Sequence, residues 1–168
     1  MYLTNPPAAS VEARPPLRIL LVDDSWAFLG SAEHFLSMEP GLQIIGCVSS
    51  GQEAIEQIAL LKPDLVLMDV AMPDMNGLTA ARKIKALPRG PRLVLMSVHD
   101  YPAYRTEAER VGADGFLGKA DFGRQLVPLI CRMFNRPPDE DGTPPNTSPP
   151  RGGRLAGQPY HHQARTVV

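Results

Sequence analysis

The segment LVLMDVAMPDMNG, residues 65–77, decides the fold of this chain. Its first four residues are all apolar, which is typical of a strand covered on both faces of a parallel sheet. The strand ends in a carboxylate, Asp69, and Met72-Pro73 and Gly77 behind it form a loop that leads into a helical pattern. The segment therefore predicts a buried strand with a charged group at its carboxyl end.

Four further apolar runs alternate with segments of helical periodicity, so five βα units are predicted. Strands are expected at Leu17–Val22, Leu42–Val48, Leu65–Met68, Leu93–Met96 and Gly115–Leu117, and helices at 25–38, 51–61, 77–87, 101–111 and 122–134. This pattern predicts an α/β fold with a doubly wound, five-stranded parallel sheet. Gly41, Gly90 and Gly112 follow predicted helices as C-cap glycines do. Pro128 should kink the last helix unless that helix begins near Gln125.

Composition indicates one folded domain with proline-rich ends. Of the 168 residues, 43% are apolar and 21% charged, which excludes a wholly disordered chain. The net charge of -1 does not provide the overall positive charge that would attract DNA or an anionic membrane. Because the 18 prolines are dense at both ends, we expect a disordered extension at 1–16, a domain at 17–134 and a disordered Pro/Gly-rich tail at 135–168. Two distant cysteines and the lack of a signal or apolar span favour the cytoplasm.

Polar residues gather at one edge of the predicted sheet. Asp23 and Asp24 follow the first strand, Asp69 ends the third, Ser97 ends the fourth, and Lys119 follows the fifth. The carboxyl ends of parallel strands form the ligand site in folds of this class. Three neighbouring carboxylates repel one another unless a cation lies among them. Mg²⁺ prefers such oxygen ligands together with phosphate oxygens, so the edge favours phosphoryl chemistry.

Four motifs carry a resemblance to a known family. They are LVDDS at 21–25, LMDVAMPDMNG at 67–77, MSVHD at 96–100 and GADGFLGK at 112–119. Together they resemble the receiver domain of two-component response regulators, in the CheY-like superfamily, and within it the receivers of the NarL/FixJ subfamily. The resemblance implies a flavodoxin-like (βα)₅ fold with strand order 2-1-3-4-5.

The resemblance also implies roles for the polar residues at the edge. Asp69 would be the phosphoacceptor, taking a phosphoryl group from a histidine kinase or a phosphotransfer protein. Asp23, Asp24, Asp69 and the backbone carbonyl of Ala71 would hold Mg²⁺. Lys119 and the hydroxyl of Ser97 would each contact a phosphoryl oxygen. The protein would thus catalyse its own phosphorylation and slow dephosphorylation without being a conventional enzyme.

Four positions are implied to control switching and lifetime. Contact of Ser97 with the phosphoryl group would let Phe116 move inward and change partner binding on the face made by the fourth helix, fifth strand and fifth helix (the α4β5α5 face). Ala71 and His99 occupy the two positions that tune phosphoryl lifetime. NarL/FixJ-like regulators continue into a helix-turn-helix, and no such pattern follows here, so specific DNA binding is not expected. A phosphorylation-dependent homodimer is one state that the family allows.

Plainer roles exist for the same residues. Asp24 or Ser25 can cap the first helix, Asp23 can end a strand in a turn, and His99 fits an exposed loop. Two other functions are open at this point. A Mg²⁺-dependent phosphatase would use Asp69 as nucleophile but needs a second acid where Ala71 stands. An atypical receiver would bind proteins without phosphorylation.

Overall fold

In a computed structural model of the protein, the described residues are 14–99 and 101–136. The strands are β1 (Leu17–Val22), β2 (Leu42–Val48), β3 (Leu65–Asp69), β4 (Arg92–Ser97) and β5 (Gly115–Gly118). The helices are α1 (Trp26–Ser37), α2 (Gly51–Leu61), α3 (Gly77–Lys85), α4 (Pro102–Arg110) and α5 (Phe122–Met133). A single 3₁₀ turn, Lys119–Asp121, links β5 to α5.

The five strands form one parallel sheet in the order β2-β1-β3-β4-β5. The predicted fold class and strand order are confirmed. Of the segments predicted to be disordered, 1–16 and 135–168, residues 1–13 and 137–168 lie outside the described residues, and so does Asp100 of the motif at 96–100. None of the helices in the described ranges is both long and apolar enough to cross a membrane.

Apolar side chains pack on both faces of the sheet. Helices α1 and α5 cover one face, where Leu36 and Leu126 are fully buried against the odd positions of β1. Helices α2, α3 and α4 cover the other face. Because β1, β3 and β4 are buried on both sides, the polar groups at their carboxyl ends stand at the rim of a rigid core.

Side-chain caps fix the start of three helices directly after the carboxyl edge. Ser25 accepts the N–H of Phe28, Ser50 that of Glu53, and Asn76 that of Leu78. Each cap satisfies a backbone donor that the helix itself cannot pair. The caps thereby help to hold the loops at the carboxyl edge in place.

The glycines that follow the helices are required for different structural reasons. Gly112 has a φ of +76° after α4, and the N–H of Ala113 reaches back to the carbonyl of Ala108, so the C-cap prediction holds there. Gly41 also has a positive φ. The same prediction was wrong for Gly90, because its neighbour Arg89 takes the left-handed conformation instead. A Cβ at Gly90 would stand 2.9 Å from the carbonyl oxygen of Ile84, so close approach explains this glycine.

Helix α5 begins at Phe122 and continues through Pro128, so the alternative start near Gln125 is not observed. Pro128 is exposed, and water can therefore bind the Arg124 carbonyl that its missing N–H leaves unpaired. At the opposite, amino edge of the sheet, the Arg136 guanidinium donates to the carbonyls of Pro15 at 2.8 Å and Gly41 at 3.1 Å. This contact ties the residue after α5 to the segment before β1.

Candidate functional site

Three carboxylates meet at the carboxyl edge of the sheet. β1 pairs with β3 through Val22 and Met68, so Asp23 and Asp24 at the end of β1 lie beside Asp69 at the end of β3. One carboxylate oxygen from each acid lies within 4.8 Å of the others. Asp23 is 0% exposed and Asp69 2% exposed, whereas Asp24 is open to solvent. The structure thus brings the predicted acids together.

One oxygen of each buried acid is held by the backbone. Asp23 Oδ1 accepts the N–H of Ser25 and Asp69 Oδ2 accepts the N–H of Ala71, both at 3.0 Å. Among the described residues, no backbone N–H donates to the other oxygens, Asp23 Oδ2 and Asp69 Oδ1. They point instead toward a cation, Lys119.

Lys119 supplies the positive charge that this acidic edge requires. Its Nζ lies 2.6 Å from Asp23 Oδ2 and 3.0 Å from Asp69 Oδ1, and its side chain is only 10% exposed. The residue begins the 3₁₀ turn after β5, and this short turn aims it across the edge. A lysine at an ordinary helix start would be solvated, so the burial of Lys119 favours the phosphoryl-binding role predicted for it.

Phe28 is a member of the site that the sequence did not reveal. The Nζ of Lys119 stands 4.6 Å from the centroid of the Phe28 ring, within cation–π distance. An aromatic residue on an amphipathic helix looks like ordinary core, so its spacing gave no signal. Ser25, in contrast, takes the plain role considered for it, because its hydroxyl caps α1.

The buried environment changes the acidity of Asp69. Burial raises the pKa of this carboxyl, and the charge of Asp23 acts in the same direction. The hydrogen bond and charge of Lys119, together with the Ala71 N–H, oppose this effect without cancelling it. Two buried carboxylates and one ammonium therefore leave excess negative charge for which a further cation is the natural partner.

Ser97 stands beside the acids, one residue past Met96, which pairs with Asp69 across β3 and β4. It is buried, and its Oγ accepts the N–H of His99 at 3.1 Å. The His99 ring is exposed and stacks on Tyr101 with ring centroids 5.3 Å apart. Its side chain belongs to this surface stack, which Tyr104 continues at 5.9 Å.

Phe116 lies on the face of the sheet that α4 covers. It pairs with Leu95 in the β4–β5 ladder, is half-buried against the apolar core, and has the Arg105 guanidinium 5.1 Å from its ring centroid. Ala71 is exposed in the loop after β3, and its N–H contacts the Asp69 side chain. Of the predicted site residues, the structure thus gathers the acids, Lys119, Ser97 and Ala71, and it sets Phe116 and the His99 ring apart.

Gly77 fixes the loop that follows Asp69. Its N–H donates to the carbonyl of Val70 at 2.9 Å. A Cβ at this position would stand 2.1 Å from the backbone carbonyl oxygen of Asp69, so only glycine fits. The last residue of the motif in 65–77 therefore has a packing reason that the sequence alone did not give.

The chain belongs to the response regulator receiver domain family, which its residues 19–130 match. It is 45% identical over 103 residues to a protein-glutamate methylesterase/protein-glutamine glutaminase of Pseudoalteromonas atlantica, covering 61% of this chain and 27% of that protein. It is 36% identical over 104 residues to the nitrate/nitrite response regulator protein NarL of Escherichia coli, covering 62% and 48% of the two chains. The chain thus spans between about a quarter and a half of these relatives.

Solved structures show the same architecture. The receiver domain of the response regulator NarL from Mycobacterium tuberculosis superposes with a TM-score of 0.67 at 30% identity, covering 73% of this chain and 98% of that one. The response regulator domain of Thermotoga maritima CheB gives 0.65 at 29% identity, covering 73% and 99%. The similarity therefore extends to the receiver domains of two differently named response regulators, which agrees with a shared receiver fold.

Proposed function

We propose that this protein is a working response regulator that accepts a phosphoryl group on Asp69 from a histidine kinase or a phosphotransfer protein. One observation carries the proposal. At the carboxyl edge, three carboxylates lie within 4.8 Å of one another, and a buried ammonium bridges two of them. Such a concentration of buried charge costs stability and is typical of a reactive site.

In the proposed reaction, a carboxylate oxygen of Asp69 forms a bond to phosphorus while the phosphorus–nitrogen bond of the donor phosphohistidine breaks. The imidazole nitrogen keeps the bonding electron pair, and Asp69 becomes an acyl phosphate. The Ala71 N–H orients the nucleophile through Oδ2. Lys119 Nζ, already 3.0 Å from Oδ1, can then pair with a phosphoryl oxygen.

The donor set fits Mg²⁺. Asp23, Asp24 and Asp69 would hold the ion through hard oxygen ligands, and Asp24 is open to solvent, from which the ion can enter. The carbonyl of Ala71 is the further ligand that we propose. When bound, the ion neutralises negative charge on the transferring phosphoryl group.

Readout is proposed to begin at Ser97. Its Oγ accepts the His99 N–H, which leaves the hydroxyl proton free to be donated to a phosphoryl oxygen. Movement of this loop would let Phe116 turn inward and alter the α4β5α5 face, which we propose as the partner surface. Ala71 and His99 are proposed to tune phosphoryl lifetime, Ala71 by leaving room for water and His99 by its place on the loop. We place this activity in the cytoplasm and propose no DNA contact by this domain.

Acetyl phosphate and Mg²⁺ provide the direct test, with intact mass as the measurement. The wild type and an Asp74→Asn variant should each gain one phosphoryl group, since Asp74 is an exposed acid of the same loop. Asp69→Asn, and wild type with a chelator, should gain none. Repeated turnover of small phosphomonoesters would instead indicate the phosphatase.

The atypical receiver remains the competing function. Lys119 neutralises part of the acidic edge without a metal, so the pocket can persist in a protein that has lost phosphorylation. That function predicts no adduct with acetyl phosphate and no thermal stabilisation by Mg²⁺ with beryllofluoride. Stabilisation by beryllofluoride without an adduct would point to a competent pocket that small donors do not charge.

A further inference from the structure

An aromatic cluster lies directly beneath the bridging lysine. Phe28 of α1 contacts Phe122, the first residue of α5, edge to face with ring centroids 5.4 Å apart. Phe35, two turns along α1, contacts the same ring at 5.8 Å. Only Phe28 also presents its ring to Lys119. Phe28 therefore contacts both an aromatic ring, Phe122, and an ammonium group, Lys119.

We infer that Phe28 is a positioning residue for Lys119, an inference that rests on the proposed function. Within the described part of the chain, Lys119 Nζ has three partners: Asp23 Oδ2 at 2.6 Å, Asp69 Oδ1 at 3.0 Å and the Phe28 ring at 4.6 Å. The first two are the oxygens that the proposed chemistry engages. The ring is the only one of the three that takes no part in that chemistry, so it can hold the ammonium while the carboxylates change partners.

The chemistry of the ring suits this task. An aromatic face attracts a cation without a formal charge, so it stabilises the ammonium but neither neutralises it nor competes for a metal. It also covers part of the Lys119 side chain, which is only 10% exposed. Lys119 can then turn from Asp23 to a phosphoryl oxygen over the same ring, without a new desolvation cost.

The position of the ring is set by its packing. Phe122 meets Phe28 at an interplanar angle of 81° and lies three residues beyond Lys119, at the end of the same 3₁₀ turn. The lysine and the residue that supports its aromatic partner are thus on one short segment. This arrangement predicts that the ring and the ammonium keep their separation when that segment moves.

A purely structural role for Phe28 is the alternative, and Phe35 offers a matched control. Both rings lie on α1, both are half-buried and both pack edge-on against Phe122. Phe28→Leu and Phe35→Leu should therefore lose similar core packing, which urea denaturation measures. Only Phe28→Leu should lower the rate constant of phosphorylation by acetyl phosphate, by about three- to thirtyfold at matched folding.

Two further measurements separate positioning from packing. Fluorinated phenylalanines at position 28 weaken the negative ring face at nearly constant volume, and the rate constant should fall with each added fluorine. In NMR spectra of the metal-free protein, the Cε protons of Lys119 should be shifted upfield by the ring. This shift should vanish in Phe28→Leu and persist in Phe35→Leu.

The outcomes are distinguishable. Equal slowing by the two leucine variants, a rate independent of fluorination, or Lys119 signals unchanged in Phe28→Leu would each overturn the inference while the wild type still gains its phosphoryl group. If the wild type gains none and Mg²⁺ with beryllofluoride does not stabilise it, the proposed function fails, and the positioning role fails with it. Loss of the Lys119 shift together with selective slowing of Phe28→Leu supports both.

Discussion

Replacing Gly77 with alanine should damage the site through the backbone alone. The new Cβ would stand 2.1 Å from the Asp69 carbonyl oxygen and 2.9 Å from Val70 Cα. Real Cβ atoms essentially never come closer than 3.0 Å to such neighbours, so the two segments must separate by at least about 0.9 Å. Both contacted residues belong to buried backbone at the end of β3, and neither can rotate away as a side chain can.

The cost follows from this displacement. Forcing a methyl group into packed backbone costs about 1–3 kcal/mol, and weakening the Gly77 N–H bond to Val70 adds about 1 kcal/mol. We therefore expect a loss of about 2–4 kcal/mol in the free energy of unfolding. Because Asp69 moves with its carbonyl, its carboxylate shifts relative to Lys119, and phosphorylation should slow by about a hundredfold.

Urea denaturation followed by circular dichroism measures the first effect, and intact mass after acetyl phosphate treatment measures the second. Gly30→Ala is the matched control. Gly30 lies in α1, and an added Cβ there meets nothing within 4 Å, so this change should stabilise the protein by about 0.5–1 kcal/mol. If Gly77→Ala unfolds at the wild-type urea concentration and is phosphorylated at the wild-type rate, the steric reasoning is refuted.

Three other predictions concern charge. Burial raises the pKa of the Asp69 carboxyl, so the metal-free wild type should lose stability as pH rises from about 4 through that pKa. Asp69→Asn should abolish this loss. Urea denaturation with a chelator, from about pH 4 to about pH 8, measures the effect, and an unchanged pH dependence in the variant would contradict the prediction. Mg²⁺ at about a hundred times its Kd should stabilise the wild type by about 2.7 kcal/mol, and Asp24→Asn should need more metal for the same rise in Tm. Burial disfavours the Asp114 carboxylate, yet hydrogen bonds from Lys85 and Arg92 outweigh burial and hold the Asp114 pKa below its usual value, so the stability that this carboxylate contributes is lost as pH falls through the lowered pKa. Asp114→Ala should lower the free energy of unfolding by about 1–2 kcal/mol at neutral pH. Urea denaturation should show a smaller loss of stability in acid for this variant than for the wild type.

The sheet and its charged edge were predictable because they depend on simple patterns. Fully buried parallel strands require uninterrupted apolar runs, and the run before Asp69 has that form. Parallel strands also place their carboxyl ends at one edge, so Asp23, Asp69 and Lys119 could be brought together without any knowledge of their contacts. The observed helix ends fall within two residues of those predicted.

What could not be predicted depends on distances that no pattern encodes. Nothing in the spacing of α1 distinguishes Phe28, which faces an ammonium, from Phe35, which packs on the Phe122 ring. Lys62 closes α2 in a left-handed conformation that sequence reasoning reserves for glycine. The real reason for Gly77 is the position of one carbonyl oxygen, which becomes known only once the loop is folded.

Arg136 holds the two ends of the described domain together at the amino edge of the sheet, away from the acids at the carboxyl edge. The six residues of β1 run from beside Pro15 to Asp23, a distance of about 20 Å at the usual rise per residue. The chain therefore enters and leaves the described domain on the side remote from the acids. A fluorophore attached at position 14 would lie on the side remote from the approach of a phosphoryl donor, and its response to phosphorylation would report a change transmitted along the sheet.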